Sequence, residues 1–140
     1  MQLRFAAKPQ KTAAPLRAGE ADLEIGVLNA MGPEVRVQAL FRDHFVGVVR
    51  AGHPLAGPRE VTAQDYVAHG HVVASRHARE HGPVDDALAR LGLRRRIVAV
   101  VPGFPAAVAV ARASDLIALV PASCAASQCT ADAAALHAFG

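Results

Sequence analysis

Between Val35 and Phe41 apolar Val35, Val37, Ala39 and Phe41 alternate with Arg36, Gln38 and Arg42, and Leu40 alone breaks the rhythm. A period of two predicts a strand with one wet face. After a turn at Asp43 and His44, the run Phe45-Val46-Gly47-Val48-Val49 is apolar on both faces. Such a run predicts a strand inside a sheet that is covered on both sides. Arg50-Ala51-Gly52-His53-Pro54 then ends it, because Gly and Pro together cannot continue a central strand.

The same reading extends along the chain. Leu3-Arg4-Phe5-Ala6 predicts a short strand ended by Lys8-Pro9. Thr12 is placed to cap a brief helix through Ala18, with Pro15 in its first turn and Gly19 as its left-handed stop. Asp22 to Leu28 predicts a strand containing Gly26, which permits close backbone approach or tight packing. Thr62 to Val67 reads as a short helix and His71 to Ser75 as a strand. Gly82 to Gly92 carries the clearest helix signal. Pro83 takes its first position, Asp85 and Asp86 face the positive end of the dipole, and Val84, Ala87, Leu88 and Leu91 form an apolar stripe. Ile97 to Val101 predicts a buried strand, Pro105 to Arg112 an apolar helix, Leu116 to Val120 another buried strand, and Pro121 to Ser127 a last helix. Strands alternating with helices across short Gly/Pro turns predict an α/β fold with a largely parallel sheet.

Ligands of open α/β sheets bind beyond the carboxyl ends of the strands, where loops lead into helix N-termini. Four turns satisfy that rule: Val27 to Ala30, Ser75 to Arg76, Pro102 to Pro105, and Val120 to Ala122. In the third, Pro102 leaves the strand, Gly103 permits close approach, Phe104 offers a flat apolar wall, and the helix start aims N–H groups at an anion. The other reading of this turn is an ordinary strand-to-helix connection with Phe104 in the core.

The order of an apolar strand, Leu40-Phe41, Asp43, a second apolar strand, Arg50 and then His53-Pro54-Leu55-Ala56 resembles the effector-binding domain of LysR-type transcriptional regulators, and the likeness runs from about Arg4 to about Ser127. The resemblance implies a type II periplasmic-binding-protein-like architecture of two Rossmann-like lobes, the first incomplete. Residues 1–48 are then part of the first lobe, 49–127 the second lobe, and 128–140 a truncated C-terminal segment. It further implies that a small-molecule effector settles between the lobes against Leu28, Asn29, Ser75, Arg76, Pro102, Gly103, Phe104 and Pro121. Arg76 suits an anionic effector through bidentate hydrogen bonding, or is a solvated surface arginine. By the same resemblance the chain pairs with itself, and reaches DNA only through a helix-turn-helix domain absent from these residues. The runner-up is a stand-alone solute-binding module of periplasmic-binding-protein type.

Composition narrows these readings without naming one. With apolar residues at 52% and aromatics at 4%, close packing of small-residue helices is expected. A net charge of +3, evenly spread, gives no footprint for nucleic acid. Neither a secretion signal nor a run of membrane-spanning length is present, so a cytoplasmic location is expected and no membrane partner. His77-Ala78-Arg79-Glu80-His81 spells H-x-x-E-H, but Gly82-Pro83 follows at once and leaves both histidines in a loop, so no metal is assigned. His69 and His71 read as a loop and a strand histidine. Cys124 and Cys129, spaced C-x₄-C, read as small hydrophobes rather than a redox pair. Arg94-Arg95-Arg96 after a helix end reads as a solvated turn. No nucleophile, base and orienting group assemble from local motifs, so no catalytic residue, cofactor or enzymatic activity is expected.

Overall fold

The computed structural model describes residues 1–7, 12–26, 32–128 and 133–136. The chain divides into two compact units, Met1–Phe41 and Arg42–Gly140. In the first, the one regular element among the described residues is helix α1, Ala14–Arg17, with Pro15 in its first turn and Gly19 in the left-handed region at φ 70°. Ala13, rather than Thr12, holds its N-cap position, and no side chain caps it. An ion pair joins Arg17 to Glu34.

The strands predicted over Leu3–Ala6, Asp22–Leu28 and Val35–Phe41 are absent from the described residues of this unit. Alternation makes a strand only when another strand takes up its backbone hydrogen bonds, and this unit supplies none among those residues. Leu3, Phe5, Leu23, Ile25, Val37, Leu40 and Phe41 are accordingly exposed. Gly26 faces open space, which removes the tight-packing reading among the described residues.

The second unit contains five strands and four helices among its described residues: β1 Phe45–Arg50, α2 Ala63–Val67, β2 Gly70–Ala74, α3 Pro83–Arg90, β3 Arg96–Val101, α4 Phe104–Arg112, β4 Ile117–Pro121, α5 Ala122–Gln128 and β5 Ala133–Leu136. The strands form one sheet in the order β3-β2-β4-β1-β5. Strand β2 runs parallel to β3 and β4, whereas β1 runs antiparallel to β4 and β5. The sheet is thus α/β and mixed, a correction to the largely parallel arrangement expected. An apolar run reports burial and not direction, so the sequence leaves the sense of β1 open.

Both sheet faces are covered, as the two-sided run in β1 requires. Val48, Val72, Ala118 and Val120 pack with Ala107, Val108 and Ala111 of α4 and Ala125 of α5. Val49 and Ile117 pack in a second cluster with Tyr66 of α2, Leu88 of α3, Leu55, Val61 and Leu136. Val48 and Val49 are adjacent, both fully buried, and belong to different clusters. Gly47 lets β5 close on β1: a Cβ there would lie 3.1 Å from Cδ1 of Leu136.

Local chemistry explains the helix starts. Thr62 accepts from the Asp65 N–H at 3.1 Å while Asp65 accepts from the Thr62 N–H at 3.1 Å, closing a capping box around α2. Pro83 opens α3, and Gly92, at φ 71°, follows its end. The apolar stripe of α3 is narrower than predicted. Leu88 is buried and Val84 half-buried, but Ala87 and Leu91 face solvent, and Leu93 packs in their place. Strand β3 is a sheet edge, and the pairing skips Val98, leaving it half exposed. No helix among the described residues is long and apolar enough to cross a membrane.

Candidate functional site

The parallel strands β2, β3 and β4 end together, and this end of the sheet, with the turns and the helix start that follow, carries six of the eight expected site residues. The Ser75 N–H donates to the carbonyl of Val101 at 2.8 Å, which ties the turn after β2 to the turn after β3. Ser75 and Arg76 thereby lie beside Pro102, Gly103 and Phe104. Register pairs Pro121 with Phe45, and the Phe45 and Phe104 rings meet edge to face with centroids 6.1 Å apart. Leu28 and Asn29 lie outside the described residues.

The turn after β2 is held in an uncommon conformation. The Ser75 Oγ accepts from the Arg79 N–H at 2.9 Å, and Ala78 between them takes φ 54°, in the left-handed region that favours glycine. Ser75 keeps its hydroxyl proton for another acceptor. Arg76 is exposed on this turn.

The two helix starts at this end differ. Helix α4 follows Gly103 with no side-chain cap and no acidic residue in its first turn. The first intrahelical bond runs from the Ala107 N–H to the Gly103 carbonyl at 3.1 Å, so the Phe104 and Ala106 N–H groups precede it at the positive end of the helix dipole. Helix α5 is satisfied by the chain itself. The Ala122 N–H donates to the His44 carbonyl at 2.8 Å, and the Ser123 N–H and Oγ donate to the Asp43 carboxylate at 3.4 and 2.5 Å. The Ser123 hydroxyl is the first cause that holds the Asp43 carboxyl below its ordinary range. Pro121 is therefore brought to this end of the sheet, but the turn it opens already holds a carboxylate. Sequence reasoning missed Asp43 and Ser123 as a pair because eighty positions separate them.

Gly103 is fully extended, at φ −162° and ψ 166°, and a Cβ there would meet Pro105 Cδ at 3.8 Å, an ordinary contact. Any residue adopts that backbone, so the glycine leaves room rather than relieving strain. Phe104 is half-buried and packs against the α4 cluster, so the ring is partly core and partly accessible.

The decoy motifs resolve elsewhere. His77 to His81 form a loop, and His81 contacts Asp86 at 2.8 Å. No cluster suited to a metal ion occurs among the described residues. Cys124 is half-buried with a free thiol, and Cys129 lies outside the described residues. The Arg94-Arg95-Arg96 run is not wholly solvated. Arg95 is buried and donates to Asp85 from Nε at 2.7 Å and from Nη2 at 2.9 Å. His71 is also buried; its Nε2 donates to the Tyr66 carbonyl at 2.8 Å, and burial pushes its pKa down to about 4. A hollow of about 650 Å³ lies between α3 and the start of β3, lined by His81, Asp85, Leu93 and Arg94 among others. It sits at the opposite end of β3 from Pro102, so concavity alone does not mark the candidate site.

Comparison with known proteins places the chain. The family model described as "LysR substrate binding domain" matches residues 2–136. The chain is 34% identical over 107 residues to the HTH-type transcriptional activator NahR of Pseudomonas putida, covering 76% of this chain and 35% of that protein. It is 36% identical over 107 residues to the HTH-type transcriptional activator NagR of Ralstonia sp, with the same coverage of 76% and 35%. Among solved structures, the probable transcriptional regulator PA0477 from Pseudomonas aeruginosa matches with a TM-score of 0.83 at 29% identity, over 99% of this chain and 47% of that one. The effector binding domain of QuiR in complex with shikimate shares the fold, with a TM-score of 0.57 at 21% identity over 69% of this chain and 46% of that one. The chain spans about a third of the length of the curated relatives it matches. With nearly all of its residues covered by the family model, and its mixed α/β sheet matched by solved regulators, the chain belongs to the LysR substrate-binding domains, a family of transcriptional regulators and not of enzymes.

Proposed function

We propose that this chain is the effector-sensing part of a bacterial LysR-type regulator and binds a small anionic molecule where β2, β3 and β4 end. The observation that carries the reading is the contrast between two helix starts at that end. Asp43 fills the start of α5, whereas α4 opens uncapped beside Ser75 and Arg76. An anion there gains the partial positive charge of α4, the Ser75 hydroxyl proton and the Arg76 guanidinium. Phe104 covers an apolar body, Pro121 forms a wall, and Leu28 and Asn29 belong to the same expected set. The working location is the cytoplasm, where such a regulator meets DNA.

The test is a nuclear magnetic resonance titration of the 140-residue chain with a panel of small carboxylates, shikimate included. The amides of Ser75, Gly103, Phe104 and Ala106 are expected to shift together and saturably. Shifts confined to the hollow beside Arg94, or none from any carboxylate, would overturn the reading. DNA is expected to be read by a separate helix-turn-helix domain, so this chain alone should give no sequence-specific gel shift at moderate salt.

A further inference from the structure

The path of the chain after α3 delivers three guanidinium groups to one hollow. Helix α3 ends at Arg90, Gly92 turns the chain in the left-handed region at φ 71°, and Leu93 packs into the cluster around Leu88. Arg94, Arg95 and Arg96 then lead into β3, and all three line the hollow of about 650 Å³ between α3 and the start of that strand. Its size is that of a small-molecule site.

The three arginines are not equivalent. Arg95 is buried, and its charge is met by Asp85, which also accepts from the Gly82 N–H. That pair is a fixed part of the wall. His81, in the same lining, is taken by Asp86 at 2.8 Å. Arg94 and Arg96 are exposed, and among the described residues neither is paired with a carboxylate. Glu80, the other carboxylate of the lining, is also exposed and without an ion-pair partner among those residues. The uncommitted charge around the hollow is therefore two guanidiniums against one carboxylate. A concave surface with such an excess attracts anions, and the planar fork of each guanidinium matches a pair of phosphate oxygens.

We infer that this hollow is a second binding site, for a small polyanion bearing phosphate groups, held by Arg94 and Arg96 with the Arg95–Asp85 pair as its wall. A lone carboxylate answers one fork only, whereas a diphosphate answers both. The inference does not rest on the effector end of the sheet, because the hollow lies at the opposite end of β3 and takes a different probe.

Pyrophosphate in metal-free buffer at moderate salt tests it, titrated into the whole chain and followed by nuclear magnetic resonance and calorimetry, with melting temperature measured on every variant. The amides of Ala89, Arg94, Arg95 and Arg96 are expected to shift together and saturably. Arg94→Gln with Arg96→Gln should weaken binding about tenfold or more, since two charge-assisted contacts go. Glu80→Gln, which removes the opposing charge from an exposed loop, should strengthen it about threefold. Arg4→Gln with Arg36→Gln, which lowers the net charge equally but in the first unit, should leave affinity unchanged. Random-sequence duplex DNA should not displace the probe, because the hollow encloses a small molecule. Shifts confined to Ser75 and Gly103, shifts that do not saturate, or no response to Glu80→Gln would overturn the inference. So would equal losses in the two double variants, which would show binding to follow net charge, or displacement by duplex DNA.

Discussion

Arg95 grips Asp85 at two points, Nε to Oδ1 at 2.7 Å and Nη2 to Oδ2 at 2.9 Å, with the arginine side chain only 5% exposed. The same Asp85 carboxylate accepts from the Gly82 N–H at 2.7 Å, so one side chain both closes the start of α3 and neutralises the guanidinium. Burial alone would raise the Asp85 pKa, but the Arg95 hydrogen bonds and the Gly82 N–H outweigh it and leave the carboxyl below its ordinary range. Arg95→Leu should lower stability by about 3 kcal/mol, because an enclosed carboxylate loses its partner. Asp85→Ala should cost at least as much, since the cap is lost too. The double variant should recover part of the loss. Urea unfolding of the four chains checks this; additive losses would show that the two residues act independently.

A second expectation concerns acid. His71 is fully buried, and its Nε2 proton is committed to the Tyr66 carbonyl. Its Nδ1 has no partner among the described residues, and burial places the pKa at about 4, down from 6.5. The unfolded chain therefore binds a proton at higher pH than the folded one. The stability held by neutral His71 is complete above about pH 6.5 and drains as pH falls toward 4, on the order of 3 kcal/mol in total. Burial moves His53 in the same direction, reinforcing the trend. Urea midpoints between pH 7 and pH 4 should fall steadily, and His71→Leu should flatten much of that slope. A parent midpoint independent of pH across this window would show that the imidazole is not neutral in the fold.

Much of the second unit was legible because local signals and burial agree there. Thr62, Pro83 and Pro105 mark helix starts that the structure keeps, and the runs in β1, β3 and β4 are strands. What escaped depends on partners distant in sequence. Whether Val35 to Phe41 pairs is decided by a neighbouring strand, not by its own alternation. Ala133 to Leu136 has a helix-favouring composition, yet pairs with β1 as β5. Arg95 looked like one third of a solvated charge run, because nothing local announces that Asp85 stands ten positions earlier and faces it. At the site, chain order alone located the turns after β2 and β3. The satisfaction of α5 by Asp43 required coordinates.

Self-association is the third expectation. Among the described residues strand β3 is an open edge with Val98 half exposed, and the first unit exposes Leu3, Phe5, Leu23, Ile25, Leu40 and Phe41. Unpaired edges and apolar side chains of this kind recruit further copies. Sedimentation of the chain at high micromolar concentration should show a dimer or larger species, and Val98→Lys should weaken it. A clean monomer across the concentration range would refute the expectation.

The last expectation separates binding from folding in the turn after β3. Gly103 has extended dihedrals and ordinary space around its missing Cβ, so Gly103→Val introduces neither left-handed strain nor a backbone clash. Its melting temperature should stay within a few degrees of the parent. The added isopropyl group nevertheless stands in front of the α4 start, where an anion approaches the Phe104 and Ala106 N–H groups, and carboxylate affinity should fall at least tenfold. Phe104→Ala should behave differently. That ring packs in the α4 cluster and against Phe45, so truncation should cost about 2–3 kcal/mol, below the range for a fully buried phenylalanine because part of the ring is accessible. Affinity and melting temperature measured on both variants give two independent axes. If Gly103→Val binds carboxylates as the parent does, the turn is a structural connection and the effector lies elsewhere.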